Sequence, residues 1–125
     1  MMYLACPYSD PSRDVREARF HLACYATTVL LQAGHAVFSS IVHSHPLVDY
    51  GLPIDWEFWE RHDREYLVRC DEVVVLKLKG WEESVGVAAE IALAGDLGKP
   101  VHYVDLTSLA SLSPTLAHVA KEVQS

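Results

Sequence analysis

Glu90 stands in Ser84-Val85-Gly86-Val87-Ala88-Ala89-Glu90-Ile91-Ala92, where its near neighbours are all small or apolar. A carboxylate so placed is costly to bury unless it is paired or used; otherwise it stands on the solvated edge of a helix. The pattern alone leaves both readings open. A second carboxylate, Asp63, lies in Trp59-Glu60-Arg61-His62-Asp63-Arg64-Glu65-Tyr66, a stretch so charged that by itself it reads as a solvated helix face. Asp71 and Glu72 read as cap or edge residues ahead of a strand. His43-Ser44-His45 sets two imidazoles at alternate positions, which an extended segment turns to one side. They read as histidines of a loop lining a pocket. A metal hydrolase built on them needs a third ligand, and none has convincing spacing, so neither metal nor cofactor is expected. Ser84-Val85-Gly86 opens a helix. In one reading Ser84 is simply the N-cap; in the other, free N–H groups, the positive end of the helix dipole and the bare backbone of Gly86 form an anion site.

These residues need elements to hold them. Tyr3-Leu4-Ala5-Cys6 is a short apolar run stopped by Pro7, which predicts a buried strand and a turn. Apolar positions Val15, Leu22, Ala26, Val29, Leu30 and Ala33 recur at helical spacing, so a helix is expected from Ser12, its N-cap, to Ala33, with Gly34 just beyond its end. His35 to Ser39 reads as a strand. Ser40 to Pro53, with two prolines, a glycine and two histidines, reads as a long functional loop. A helix follows over Asp55 to Arg69, then the β-branched run Val73-Val74-Val75-Leu76, the mark of a strand covered on both faces. Ser84 to Leu97 reads as a helix closed by Gly98, Pro100 to Val104 as a strand, and Pro114 to Val123 as a last helix. Alternation of this kind predicts an α/β fold: a single-domain three-layer sandwich over residues 1–125, Rossmann-like or flavodoxin-like, with a mostly parallel sheet of four or five strands and helices on both faces. Ligands bind at the carboxyl ends of such strands. The turn after Cys6, the segment after Ser39 and the Lys79–Ser84 stretch all fall there.

Composition narrows the partners. A chain of 125 residues holds one core. Seventeen Asp and Glu against ten Lys and Arg, a net charge of −7, argue against a nucleic-acid polymer as partner. No apolar run reaches the roughly 20 residues of a membrane span. The opening residues have no basic region before Pro7 and do not read as a signal peptide, and Cys6, Cys24 and Cys70 read as buried thiols of a cytoplasmic protein.

Taken in order, Tyr3-Leu4-Ala5-Cys6-Pro7-Tyr8-Ser9, Asp63 eight residues before Asp71, the helix Ser84 to Ala94 and Leu97-Gly98-Lys99-Pro100-Val101 resemble the nucleoside 2-deoxyribosyltransferase superfamily. The resemblance runs from Tyr3 to Val104. It is most specific around Glu90 and Gly98-Lys99-Pro100, and nearest to a small uncharacterised subgroup with a His-Ser-His-Pro segment, here His43 to Pro46. It implies Glu90 as nucleophile, Asp63 as the carboxylate handling protons and Tyr3 as the hydroxyl that orients the nucleophile. Ser84 is the branch point: the transferases resembling this chain carry an aspartate there for a free 5′-hydroxyl, and the related nucleoside 5′-monophosphate N-glycosidases carry a serine for a 5′-phosphate. The resemblance therefore implies a monophosphate N-glycosidase working through a glutamyl-ribosyl intermediate, with base exchange between nucleosides as the alternative and a non-catalytic nucleotide-binding domain as a further one. Tyr8, Ser9, Gly86, His43 and His45 join Ser84 as expected substrate contacts. Tyr8, Trp56 and Trp59 are candidates to stack on a base, the tryptophans equally as core. After Cys6 the glycosidases carry a glycine- and arginine-containing loop, whereas this chain has Tyr8-Ser9-Asp10-Pro11-Ser12-Arg13, leaving Arg13 as the candidate cation. The resemblance also implies a homo-oligomer.

Overall fold

The computed structural model describes residues 1–112, and the helix expected over Pro114 to Val123 lies outside them. Four strands, β1 (Met2–Ala5), β2 (Val37–Ser39), β3 (Glu72–Leu76) and β4 (Val101–Val104), form one sheet in the order β2-β1-β3-β4. Every pairing is parallel. Helices α1 (Arg13–Gln32), α2 (Ser40–Val48), α3 (Trp56–Leu67), α4 (Val85–Asp96) and α5 (Leu106–Leu112) connect and follow the strands.

Alternation along the strands explains the layers. Leu4 of β1 with Val74 and Leu76 of β3 faces α1, α2 and α5, whereas Tyr3 and Ala5 with Val73 and Val75 face α3 and α4. Both faces are covered, so the valine run is apolar throughout. The chain leaves β1 through α1 to β2 at one edge, then crosses back through α3 to β3 on the other side of β1. The strand order thus reverses between β1 and β3, and a crevice opens there at the carboxyl ends.

Helix α1 starts where Ser12 accepts from Val15 N, and the chain turns at Gly34 with φ +96° just after the Ala33 cap. One expected element is corrected. The segment after Ser39 is not a loop from its first residue: α2 begins at Ser40, capped by the Ser39 hydroxyl accepting from Val42 N. Pro46 sits inside this helix, where a ring without an N–H forfeits one backbone hydrogen bond. Only 49–55 remain to join α2 to α3.

Candidate functional site

Three helices bring the chemistry to the crevice. On α3 the buried positions are Trp59, Asp63 and Leu67, one face of successive turns. On α4 they are Val87, Glu90 and Ala94. Asp63 and Glu90 therefore occupy the sheet-facing stripes of adjacent helices, each only about one-twentieth exposed. The solvated face expected for Asp63 is overturned. Its charged neighbours Arg61, Arg64 and Glu65 point to water while Asp63 points to the sheet.

Tyr3, fully buried on β1, donates its hydroxyl to Glu90 Oε2, which leaves Oε1 without a partner among the described residues. Burial pushes the Glu90 carboxyl up to about 8; the nearby Asp63 charge adds to this and the Tyr3 donor opposes it. Asp63 is also raised, by burial, against the pull of its two hydrogen bonds. Those bonds fall on one oxygen: Ser40 Oγ donates to Oδ1 at 2.8 Å, and His62 Nδ1 lies 2.9 Å from the same atom. Asp63 Oδ2 is left without a partner among the described residues. The two carboxylates thus share one desolvated region, and each keeps one oxygen uncommitted.

Both line a cavity of about 390 Å³, within the range of small-molecule sites. Ser84, Gly86, Tyr8, Ser9 and His45 line it too, as do Trp56 and Trp59, while Tyr3 lies beneath the floor behind Glu90. His43 is not brought in. Residues two apart on a helix point to nearly opposite sides, so His45 turns inward and His43 outward, where its ring stacks on His62 with centroids 5.2 Å apart.

Several expected contacts have other tasks. Ser84 Oγ accepts from Val87 N as the N-cap of α4. Gly86 makes room for an indole: a Cβ there would lie 3.2 Å from Trp56 Cε3. Ser9 Oγ donates to Ile54 O at 2.6 Å, tying the turn after β1 to the α2–α3 connection. Arg13 pairs with Asp49 at 3.0 Å. Arg16 donates to Asp10 O, and Arg19 to the carbonyls of Tyr8, Ser9 and Lys79, so these guanidiniums brace the loop. The cavity lining holds four carboxylates, Asp55, Asp63, Glu83 and Glu90, and no lysine or arginine. Among the described residues no cluster of three or more His, Cys, Asp or Glu could hold a metal ion.

Ser40, His62, Ser44 and Glu17 escaped the sequence reading. Ser40 and Ser44 were masked by the α2 segment reading as a loop; Ile41, Ser44, His45 and Val48 do recur at helical spacing once a serine and a histidine are allowed to face inward. Glu17, half-exposed on α1, carries no signal until the fold sets it against His45.

Fold and site together define a parallel α/β protein with a carboxylate-floored pocket at its topological switch point. The chain belongs to the family described as a domain of unknown function (DUF1937), whose model matches residues 1–105 and so spans the whole sheet and every residue of the pocket. No curated protein matches it. No helix among the described residues is long and apolar enough to cross a membrane.

Proposed function

We propose that the protein cleaves the N-glycosyl bond of a nucleoside whose 5′-hydroxyl is unphosphorylated, by hydrolysis or by transfer to a second base. The observation that carries this reading is the carboxylate pair: Glu90, oriented by Tyr3, and Asp63, held by Ser40 and His62, share one desolvated pocket floor. An oxocarbenium-like transition state wants a carboxylate beneath C1′ and a carboxylic acid at the leaving nitrogen. Glu90 Oε1 bonds to C1′ as the C1′–N bond breaks, and the electron pair leaves with the base nitrogen, which takes the proton from Asp63 Oδ2. Water or an incoming base then attacks C1′, gives its proton to Asp63 and releases Glu90, with net retention. The active form has one proton shared between the two carboxyls, residing on Asp63 when Glu90 attacks.

The lining disfavours a phosphorylated arm. Four carboxylates line the cavity, Arg13 is paired with Asp49 and Arg19 with backbone carbonyls, which leaves Arg16, beside the Tyr8 hydroxyl, as the nearest cation. A 5′-monophosphate substrate stands as the second reading, supported by Ser84 at the N-terminal end of α4, where the first backbone N–H groups lack helix partners. The two separate in one experiment. Nucleosides and their 5′-monophosphates are incubated with the protein and free base is followed by chromatography. The first reading expects kcat/KM for a nucleoside to exceed that for its monophosphate about tenfold or more; the reverse order returns the site to phosphate. No base from either class removes both.

A further inference from the structure

One wall of the pocket contains a hydrogen-bonded chain that the cleavage chemistry leaves unused. Glu17 Oε2 lies 2.7 Å from His45 Nε2, and His45 Nδ1 lies 2.7 Å from the Tyr8 hydroxyl. The imidazole is fixed on its faces as well: it stacks on Phe20 at 4.4 Å and meets Tyr8 edge-on. His45 is 7% exposed, Glu17 half-exposed. A solvated carboxylate has only acceptors to offer, so in the neutral imidazole Nε2 carries the hydrogen and Nδ1 is bare. The Tyr8 hydroxyl must then donate to Nδ1, which leaves its oxygen an acceptor, approached by the Arg16 guanidinium and open to the cavity that Tyr8 lines. His21, 3.6 Å from the other Glu17 oxygen, can only add a donor on the Glu17 side and leaves this order unchanged.

The residue before His45 supplies an independent sign of a ligand. Ser44 is 7% exposed and lines the cavity, and its Oγ, itself closed off from water, has no hydrogen-bond partner among the described residues. A helical serine or threonine normally satisfies itself on the carbonyl four residues back, as Thr27 and Thr28 do on Ala23 and Cys24. A buried hydroxyl that forgoes this costs folding free energy unless something else binds it.

We propose that this wall is a subsite for a neutral N–H or O–H group of the substrate, with Tyr8 Oη set as the acceptor by the Glu17–His45 pair and Ser44 Oγ as the second contact. The proposal rests on the nucleoside reading and specifies it. Nucleosides carry such donors at their two ends, the exocyclic amine of the base and the 5′-hydroxyl of the sugar. A phosphate, which offers only acceptors when ionised, is the wrong partner for a fixed acceptor.

The tautomer is tested without ligand, by long-range ¹H–¹⁵N correlation on the full chain at pH 7.5. His45 is expected with a protonated Nε2 and a bare Nδ1; a protonated Nδ1 overturns the proposal. Binding is then measured on the Glu90→Gln protein, so that no turnover intervenes. The probes are adenosine and cytidine, each beside a counterpart lacking the exocyclic amine and a counterpart lacking the 5′-hydroxyl. One of the two deletions is expected to weaken binding about three- to tenfold, and the same deletion to cost less than about twofold once Tyr8→Phe is added. Loss with the deaminated probe places the base at the wall; loss with the 5′-deoxy probe places the sugar there. If neither deletion weakens binding, or if Tyr8→Phe and Ser44→Ala leave the parent nucleosides bound as before, the subsite is refuted and the nucleoside reading survives. If no probe binds, both fall. Ser44→Ala is further expected to leave the thermal midpoint unchanged or higher; a clear drop makes Ser44 a structural residue and overturns its role.

Discussion

Replacing Glu90 by glutamine tests the electrostatics of the pocket floor without reference to any substrate. In an unfolded chain the carboxyl titrates near 4.5; in the fold, burial moves it to about 8. Below pH 4.5 the group is protonated in both states and costs nothing. Between 4.5 and about 8 the unfolded chain releases the proton while the folded one retains it, so stability falls as pH rises, at 1.36 kcal/mol per pH unit. Above about 8 the loss is complete, and its ceiling is about 5 kcal/mol. Glutamine has the same shape, keeps an oxygen for the Tyr3 hydroxyl and does not titrate. Urea unfolding of both proteins at intervals from pH 4.5 to 9 therefore expects curves that coincide at the acid end and diverge to a glutamine advantage of about 2–5 kcal/mol at pH 9. The lower figure applies if water entering through the cavity solvates the ionised group. Equal pH dependence in the two proteins refutes the claim that Glu90 is desolvated. A glutamine variant less stable at every pH means instead that the amide cannot be accommodated beside Asp63.

Asp63→Asn removes the proton held for the leaving base and one cause of the raised Glu90 carboxyl. The wild-type rate is expected to fall as pH rises through about 8, where the pair loses its last proton, whereas the variant, assayed on a nitrophenyl riboside that needs no acid, is expected to rise with Glu90 ionisation at lower pH. Tyr3→Phe deletes the donor on Glu90 Oε2; kcat is expected to drop about ten- to a hundredfold and the alkaline limb to move up, since that hydrogen bond favours the ionised form. Ser84→Ala removes the α4 cap and is expected to cost about 1 kcal/mol in urea unfolding while leaving the ratio of nucleoside to monophosphate kcat/KM within about threefold.

Elements built from uniform physics were legible in the chain. Val73 to Leu76 is a strand because both its faces meet helices, and the alternation of strands with helices is what made a parallel three-layer fold readable. Glu90 stood out because an alanine-rich helix offers nothing to hide a carboxylate, though whether it faced water or the sheet was undecided until β1 placed Tyr3 against it. Asp63 was camouflaged: the charges on the solvent side of α3 hide the single charged residue on its buried stripe. The α2 helix was obscured by Pro46 and by residues that favour loops, and with it went the correct facing of His43 and His45. Gly86 was ambiguous for a different reason. Small residues make room for whatever approaches, and here that is Trp56. Contacts such as Tyr8 to His45 and Ser40 to Asp63 join segments 37 and 23 residues apart and leave no local trace.

The central claim is that Glu90 forms a bond to the sugar. It is tested most directly by mass spectrometry of protein quenched with acid during turnover of 2′-fluoro-2′-deoxynucleosides, whose fluorine slows release of the sugar. A mass increase of one fluorodeoxyribosyl unit is expected, lost in Glu90→Gln and mapped by proteolysis to the peptide containing Glu90. Base release from the same substrates with no adduct on that peptide, or an adduct that persists in Glu90→Gln, contradicts it.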